Sequence, residues 1–82
     1  MERTVIFTKL QSLISDVLAV PVEKIHENSS FVDLDADSMD IVNLVMRIED
    51  EFNIEEIDDE DIQEMQTVRR VVDYLVVMLR NQ

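Results

Sequence analysis

The stretch Asp35–Phe52, which reads DADSMDIVNLVMRIEDEF, decides how this chain folds. Its apolar residues recur at intervals of three and four, the spacing that places them on one side of an α-helix. They are Ile41, Leu44, Val45, Ile48 and Phe52. We predict a helix from about Asp37 to Glu51. Its N-cap is Asp37 or Asp35, because an aspartate oxygen can accept a hydrogen bond from a first-turn amide. Asn53 suits the left-handed residue that ends a helix.

Two more amphipathic helices and one short helix are predicted around it. The first covers residues 4–19 and must end before Pro21, which disfavours helical geometry in the residue that precedes it. An acidic segment over residues 55–65 holds a brief helix that opens at Asp58 or Asp59. The last helix begins after Thr67, a capping residue, and runs to about Arg80. The inward residues are Val5, Ile6, Leu10, Leu13, Ile14, Val17 and Leu18 in the first helix, and Val68, Val71, Val72, Leu75, Val76 and Leu79 in the last.

A long connection over residues 20–36 joins the first two helices. A bare loop of this length is unusual in a compact domain, so we expect it to be anchored in the core. Its irregularly spaced apolar residues are Val22, Ile25, Phe31 and Leu34. Ser30 and Asp33 can cap one helical turn within it. The prediction is therefore an all-α fold: a small four-helix bundle of three main helices and one short helix, with a long loop between the first and second helices, in a single domain over residues 1–82.

Composition limits the partners that the chain can have. Its 82 residues are 46% apolar, enough for one packed core. Nineteen acidic and seven basic residues give a net charge of -12, so nucleic acid and anionic lipid repel the chain while basic protein surfaces attract it. The longest apolar run, Tyr74–Leu79, is too short to span a membrane. We expect a cytoplasmic protein, and nothing in the sequence demands more than a monomer.

Three aspartates before the second helix resemble the start of a calcium-binding loop. Asp33, Asp35 and Asp37 alternate as the first ligands of an EF-hand do. The pattern then fails, because the sixth position is Ser38 instead of glycine and the twelfth is Leu44 instead of glutamate. The chain also has no cysteine and one histidine. We predict no metal site.

Ser38 is the one hydroxyl among the carboxylates that begin the second helix. As a catalytic nucleophile it would need a base, and the only histidine, His26, lies in the distant loop with no pattern that ties it to Ser38. Glycine-flanked nucleophile turns are absent too, since the chain has no glycine. We therefore predict no catalytic residue. A helix-capping role for Ser38 remains, in competition with Asp37.

Several segments together resemble the acyl carrier protein family. Phe31–Asp40 reads FVDLDADSMD and residues 42–52 read VNLVMRIEDEF. The likeness extends to LAVPVEKI at residues 18–25, to Thr67-Val68 and to VDYL at residues 72–75, so it covers nearly the whole chain in the family's order. The resemblance implies a non-catalytic carrier, and we expect a freestanding one because the sequence begins at Met1 and ends just after the last predicted helix. A phosphopantetheinyl transferase would join 4'-phosphopantetheine from coenzyme A to Ser38, and acyl intermediates of fatty acid biosynthesis would travel on the arm as thioesters.

The resemblance also implies that synthase enzymes with basic docking patches bind the outer face of the second helix. Matching positions are Asp37, Met39, Asp40, Met46, Glu49 and Asp50. Taken without the resemblance, these residues describe a solvated helix face.

The chain departs from the family's pattern at several positions. Asp35 stands where family members usually have glycine, and the loop before Ser38 is one residue shorter. Asn43 occupies a commonly acidic position and Arg47 a commonly small or neutral one. A specialised carrier for polyketide, aminoacyl or other secondary cargo is therefore an alternative. An alternative of a different class is an acidic helical adaptor that has no prosthetic group.

Overall fold

The computed structural model describes residues 1–81 and confirms the all-α prediction. Its helices are α1 (Arg3–Leu18), α2 (Ser38–Glu51), the short α3 (Asp59–Glu64) and α4 (Val68–Arg80). α1 packs against both α2 and α4. Within residues 1–81, no helix is long and apolar enough to cross a bilayer.

One hydrophobic core joins these elements. Its buried residues are Ile6, Leu10, Leu13, Ile14, Ile25, Phe31, Leu44, Ile48, Phe52, Ile54, Ile57, Val68, Val71, Val72 and Leu75. Most of them follow the predicted stripes, because helical spacing brings them to one side. Val5 was placed in the stripe of α1 and is exposed. Ile54 and Ile57 were not predicted as core residues, since they lie in the irregular segment between α2 and α3, where no helical period marks them.

The connection between α1 and α2 is anchored to the core and to α1. Ile25 and Phe31 are buried as predicted, whereas Val22 is exposed and opens a short 3-10 turn instead. Gln11 in α1 donates hydrogen bonds from its side-chain amide to the carbonyls of Val22, at 3.0 Å, and Ile25, at 2.8 Å. These bonds satisfy backbone groups that an irregular segment leaves unpaired. The loop is therefore fixed along its first half by a polar side chain of α1.

The second half of the loop is held against the start of α4. An isolated antiparallel bridge pairs Ser30 with Thr67. The amide of Phe31 donates to the carbonyl of Gln66 at 3.1 Å, and the amide of Val68 donates to the carbonyl of Ser29 at 3.0 Å. The chain thus enters α2 from a segment whose position is set by the core and by α4.

Three residues in the described range 1–81 have a positive φ, and none of them is glycine. Asn53 does so after α2, as predicted, with φ 57°. Asp35 has φ 62°, just before α2. Ala19, with φ 56°, ends α1 in a left-handed conformation that glycine usually supplies. Because the chain has no glycine, an alanine adopts this left-handed conformation, in which its Cβ is sterically unfavourable.

Candidate functional site

The N-terminus of α2 is closed by a reciprocal pair of hydrogen bonds between two aspartates. The carboxylate of Asp37, the N-cap, accepts from the amide of Asp40 at 2.8 Å. The carboxylate of Asp40 accepts from the amide of Asp37 at 3.2 Å. This capping box answers the choice left open by the sequence: Asp37 is the cap and Asp35 is not.

Ser38 is the first residue of α2 and is exposed. Because Asp37 caps the helix, the hydroxyl of Ser38 is not required for capping, and it makes no hydrogen bond within residues 1–81. The helix-capping explanation of Ser38 is therefore wrong. What the position offers is an accessible primary alcohol at the positive end of a helix, where an attached anion would be stabilised by the first-turn amides and the helix dipole.

A tight turn leads the chain into this position. The hydroxyl of Ser30 accepts from the amide of Asp33 at 3.0 Å, as predicted. The amide of Ala36 donates to the carbonyl of Phe31 at 2.9 Å and closes the turn. Asp35 lies inside it at positive φ. The positive φ explains why family members usually have glycine at this position. Aspartate is one of the few other residues that tolerate this conformation.

The predicted docking residues divide into two groups in the structure. Asp37, Asp40 and Glu49 are engaged within the chain. The first two form the capping box, and the carboxylate of Glu49 accepts from the amide of Ile57 at 2.9 Å, which ties the segment after α2 to the helix. Asp50 is exposed, as are Met39 and Met46. The capping role of Asp37 was among the predictions, whereas the structural roles of Asp40 and Glu49 were not predicted from the sequence.

Sequence reasoning missed one residue of this surface, Val42. Its side chain is 53% exposed, between Met39 at 68% and Met46 at 57%. The three residues are spaced by three and four positions, so they form an apolar stripe on the outer face of α2. That spacing is present in the sequence, but it is the same helical spacing that the buried stripe of α2 has.

No catalytic or metal-binding arrangement surrounds Ser38 among the described residues. His26 is exposed in the loop, and its amide donates to the hydroxyl of Ser29 at 3.0 Å. Across residues 1–81, no group of three or more His, Asp or Glu side chains is placed to hold a metal ion. The fold and the site thus define a class of protein: an acidic helical domain with an exposed serine hydroxyl at the N-terminus of α2.

Comparisons with known proteins give the family. The family described as phosphopantetheine attachment site matches residues 8–75, a range that contains Ser38. The acyl carrier protein of Buchnera aphidicola is 52% identical over 68 residues, which cover 82% of this chain and 85% of that protein. The acyl carrier protein of Thermosynechococcus vestitus is 40% identical over 76 residues, which cover 92% and 93%. A solved structure of the acyl carrier protein from Enterococcus faecalis superimposes with a TM-score of 0.77 at 33% identity, covering 94% of this chain and 98% of that one.

The chain belongs to the phosphopantetheine-attachment family, among the acyl carrier proteins. Members of this family are carriers that work with partner enzymes, and their prosthetic group is phosphopantetheine. The residues present fit that group, since an exposed hydroxyl at a helix N-terminus can form a phosphodiester without giving up a hydrogen bond. The alternative of an adaptor without a prosthetic group finds no support in these comparisons.

Proposed function

We propose that Ser38 carries 4'-phosphopantetheine and that the chain serves fatty acid biosynthesis as an acyl carrier. The observation that carries this proposal is the exposed, unengaged hydroxyl of Ser38 beside a cap that Asp37 and Asp40 complete without it. When bound, the group supplies a thiol that holds acyl chains as thioesters. The chain's own contribution is to place the attachment oxygen and to address the partner enzyme.

The attachment reaction is a phosphoryl transfer catalysed by a partner, a phosphopantetheinyl transferase. The oxygen of Ser38 forms a bond to the phosphorus that bears the pantetheine arm of coenzyme A. The bond from that phosphorus to the leaving adenosine bisphosphate breaks, and the serine proton passes to a base of the transferase. No residue of this chain needs to act as that base, in agreement with the absence of any hydrogen bond to the Ser38 hydroxyl within residues 1–81.

The electrostatics around Ser38 balance attraction against repulsion. The amides of Ser38 and Met39 lie in the first turn of α2, where no preceding turn supplies acceptors, and they favour the phosphodiester anion. The carboxylates of Asp35 and Asp37 oppose it. Both are exposed, so solvent and salt screen the repulsion. The same carboxylates attract a transferase whose docking patch is basic.

The outer face of α2 is the proposed docking surface for the transferase and for the enzymes of fatty acid synthesis. Its apolar part is the stripe of Met39, Val42 and Met46, whose burial against a partner is favourable. Its acidic part is formed by Asp37, Asp40, Glu49 and Asp50. An apolar stripe bordered by one sign of charge is the composition expected of a protein interaction site.

We also propose a single domain over residues 1–82 that acts as a cytoplasmic monomer. The one core to which α1, α2 and α4 contribute supports a single domain. The net charge of -12 supports a monomer, because like-charged copies repel. A chain without cysteine is compatible with the reducing cytoplasm.

Intact-mass measurement tests the attachment site. The protein is incubated with coenzyme A, magnesium and a broad-specificity phosphopantetheinyl transferase, beside the variants Ser38→Ala and Ser12→Ala. Ser12 is an exposed serine of α1 and serves as the matched control. We expect wild type and Ser12→Ala to gain one phosphopantetheine and Ser38→Ala to gain none. Modification of Ser38→Ala, or none of wild type, would refute the proposal.

A further inference from the structure

The outer face of α2 carries a single cation. Arg47 is the only basic residue of this helix, which also contains Asp40, Glu49, Asp50 and Glu51. Its guanidinium lies 3.3 Å from a carboxylate oxygen of Asp16 in α1. The side chains of Arg47 and Asp16 are 48% and 64% exposed, and an ion pair that exposed contributes little to stability. The packing of α1 on α2 therefore does not explain why an arginine stands here.

Arg47 lines a groove between α1 and α2. The groove has a volume of about 450 Å³ and is lined by Val17, Asn43, Met46, Arg47 and Asp50. Its α2 residues are spaced by three, one and three positions, so they share one face of the helix. This groove is continuous with the apolar stripe through Met46, which belongs to both. Within one short stretch the surface offers an apolar contact, a positive charge and a negative charge.

We propose, building on the carrier function above, that Arg47 is a specificity-determining residue for the partner enzymes. The enzymes that this carrier serves present an acidic side chain to Arg47, a basic side chain to Asp50, and an apolar side chain between Val17 and Met46. A partner with a uniformly basic patch meets like charge at Arg47, and like charges brought together at an interface oppose binding. Arginine suits such a contact, because its planar guanidinium can bind a carboxylate through two parallel hydrogen bonds.

A purely structural role for Arg47 makes a different prediction, and the chain provides a matched control for it. Lys9 of α1 pairs with Glu51 of α2 at 3.6 Å, and both side chains are 43% exposed. It is therefore a second exposed ion pair between the same two helices, away from the groove's lining residues. Lys9→Glu and Arg47→Glu change the net charge equally, and each breaks one such pair. If only helix packing or net charge mattered, the two variants would bind a partner equally well.

The experiment measures the dissociation constant of the elongating condensing enzyme of fatty acid synthesis, purified from the organism that supplies this chain. Wild type, Arg47→Glu, Arg47→Lys, Lys9→Glu and Asp16→Asn are compared at one salt concentration. We expect Arg47→Glu to weaken binding at least tenfold and Lys9→Glu less than twofold. Arg47→Lys should retain part of the affinity, and Asp16→Asn should retain or increase it, because Arg47 is then released toward the partner. Circular dichroism verifies that each variant is folded.

Failure of this proposal can be told apart from failure of the carrier function. Loading of Ser38 is followed separately by intact mass, and all affinities are measured both on loaded protein and in an unloaded Ser38→Ala background. Equal affinities of Arg47→Glu and Lys9→Glu, or tighter binding of Arg47→Glu, would overturn the role of Arg47 even where loading is normal. Absence of loading in the wild type counts against the attachment proposal alone.

Discussion

Replacing Asp37 separates the two tasks that the structure gives to this residue. Its carboxylate caps α2 by accepting from the amide of Asp40 at 2.8 Å, and its charge lies beside Ser38 on the proposed docking surface. Asp37→Ala removes both the acceptor and the charge. Asp37→Asn removes the charge and keeps an oxygen in the same place, and asparagine is about as good an N-cap as aspartate.

The loss of the N-cap hydrogen bond sets the expected decrease in stability of Asp37→Ala. Loss of an N-cap costs about 1 kcal/mol of stability. For a domain of this size, that loss corresponds to a melting temperature lower by roughly 4–8 °C. Asp40 still accepts from the backbone amide at position 37, so the reciprocal bond does not depend on the altered side chain. We therefore expect Asp37→Ala to melt about 4–8 °C below wild type. Asp37→Asn should melt closer to wild type, since asparagine keeps the capping oxygen and only the charge–dipole contribution is lost.

Thermal unfolding and the rate of Ser38 modification are measured on the same samples. Below the melting transition both variants are folded, so a change in kcat/KM of the transferase reports on docking and local geometry. If the negative charge steers the transferase, both variants lose activity equally and the loss shrinks at high salt. The capping role of Asp37 would be refuted by an Asp37→Ala protein that melts at the same temperature as wild type, or by an Asp37→Asn protein that loses as much stability as Asp37→Ala.

Three further measurements test other features of the structure. Ala19→Gly should raise the unfolding free energy by about 0.5–1 kcal/mol, because relief of the left-handed conformation exceeds the entropy cost of glycine. The control Ala36→Gly, at a residue without positive φ, should lower the unfolding free energy. The opposite order of the two variants in urea unfolding would contradict this prediction. Burial and then the charge of Asp61 raise the pKa of Tyr74 above 10.0, so the only tyrosine should titrate late by tyrosinate absorbance. The protonated Tyr74 side chain contributes fully to the free energy of unfolding below about pH 10, and this contribution is lost as the pH rises through the pKa of the folded state. Tyr74→Phe should remove this pH dependence. Added salt or divalent cations should raise the melting temperature, because they screen a net charge of -12; a melting point unchanged between low and moderate ionic strength would contradict this.

The elements with a repeating period were predictable from sequence, and those without one were not. Leu44 and Ile48 could be placed in the core because the helix period requires it, and Asn53 and Thr67 could be assigned to helix ends from their chemistry. Ile54 lies in an irregular segment, where burial depends on contacts between elements distant in sequence. Val22 also lies in an irregular segment, so its exposure could not be predicted from a helical period either.

The site shows a second limit of sequence reasoning. Ser38 could be singled out from its neighbours, because a lone hydroxyl among carboxylates has few uses in a chain with one histidine and no cysteine. The intramolecular roles of Asp40 and Glu49 could not be predicted, since each depends on a backbone amide whose position only the folded chain defines. The family resemblance had assigned both residues to partner binding.

This overlap of roles determines which substitutions can report on docking. Asp37, Asp40 and Glu49 support the start of α2 and the segment after it, so their removal changes the shape of the surface as well as its charge. Met39, Val42 and Met46 are exposed and show no such structural role. Arg47 makes only an exposed ion pair. The apolar stripe and Arg47 are therefore the positions where altered partner binding can be separated from altered folding. In the proposed carrier, substitutions at these positions can change partner binding while the acidic residues keep Ser38 in place for the proposed modification.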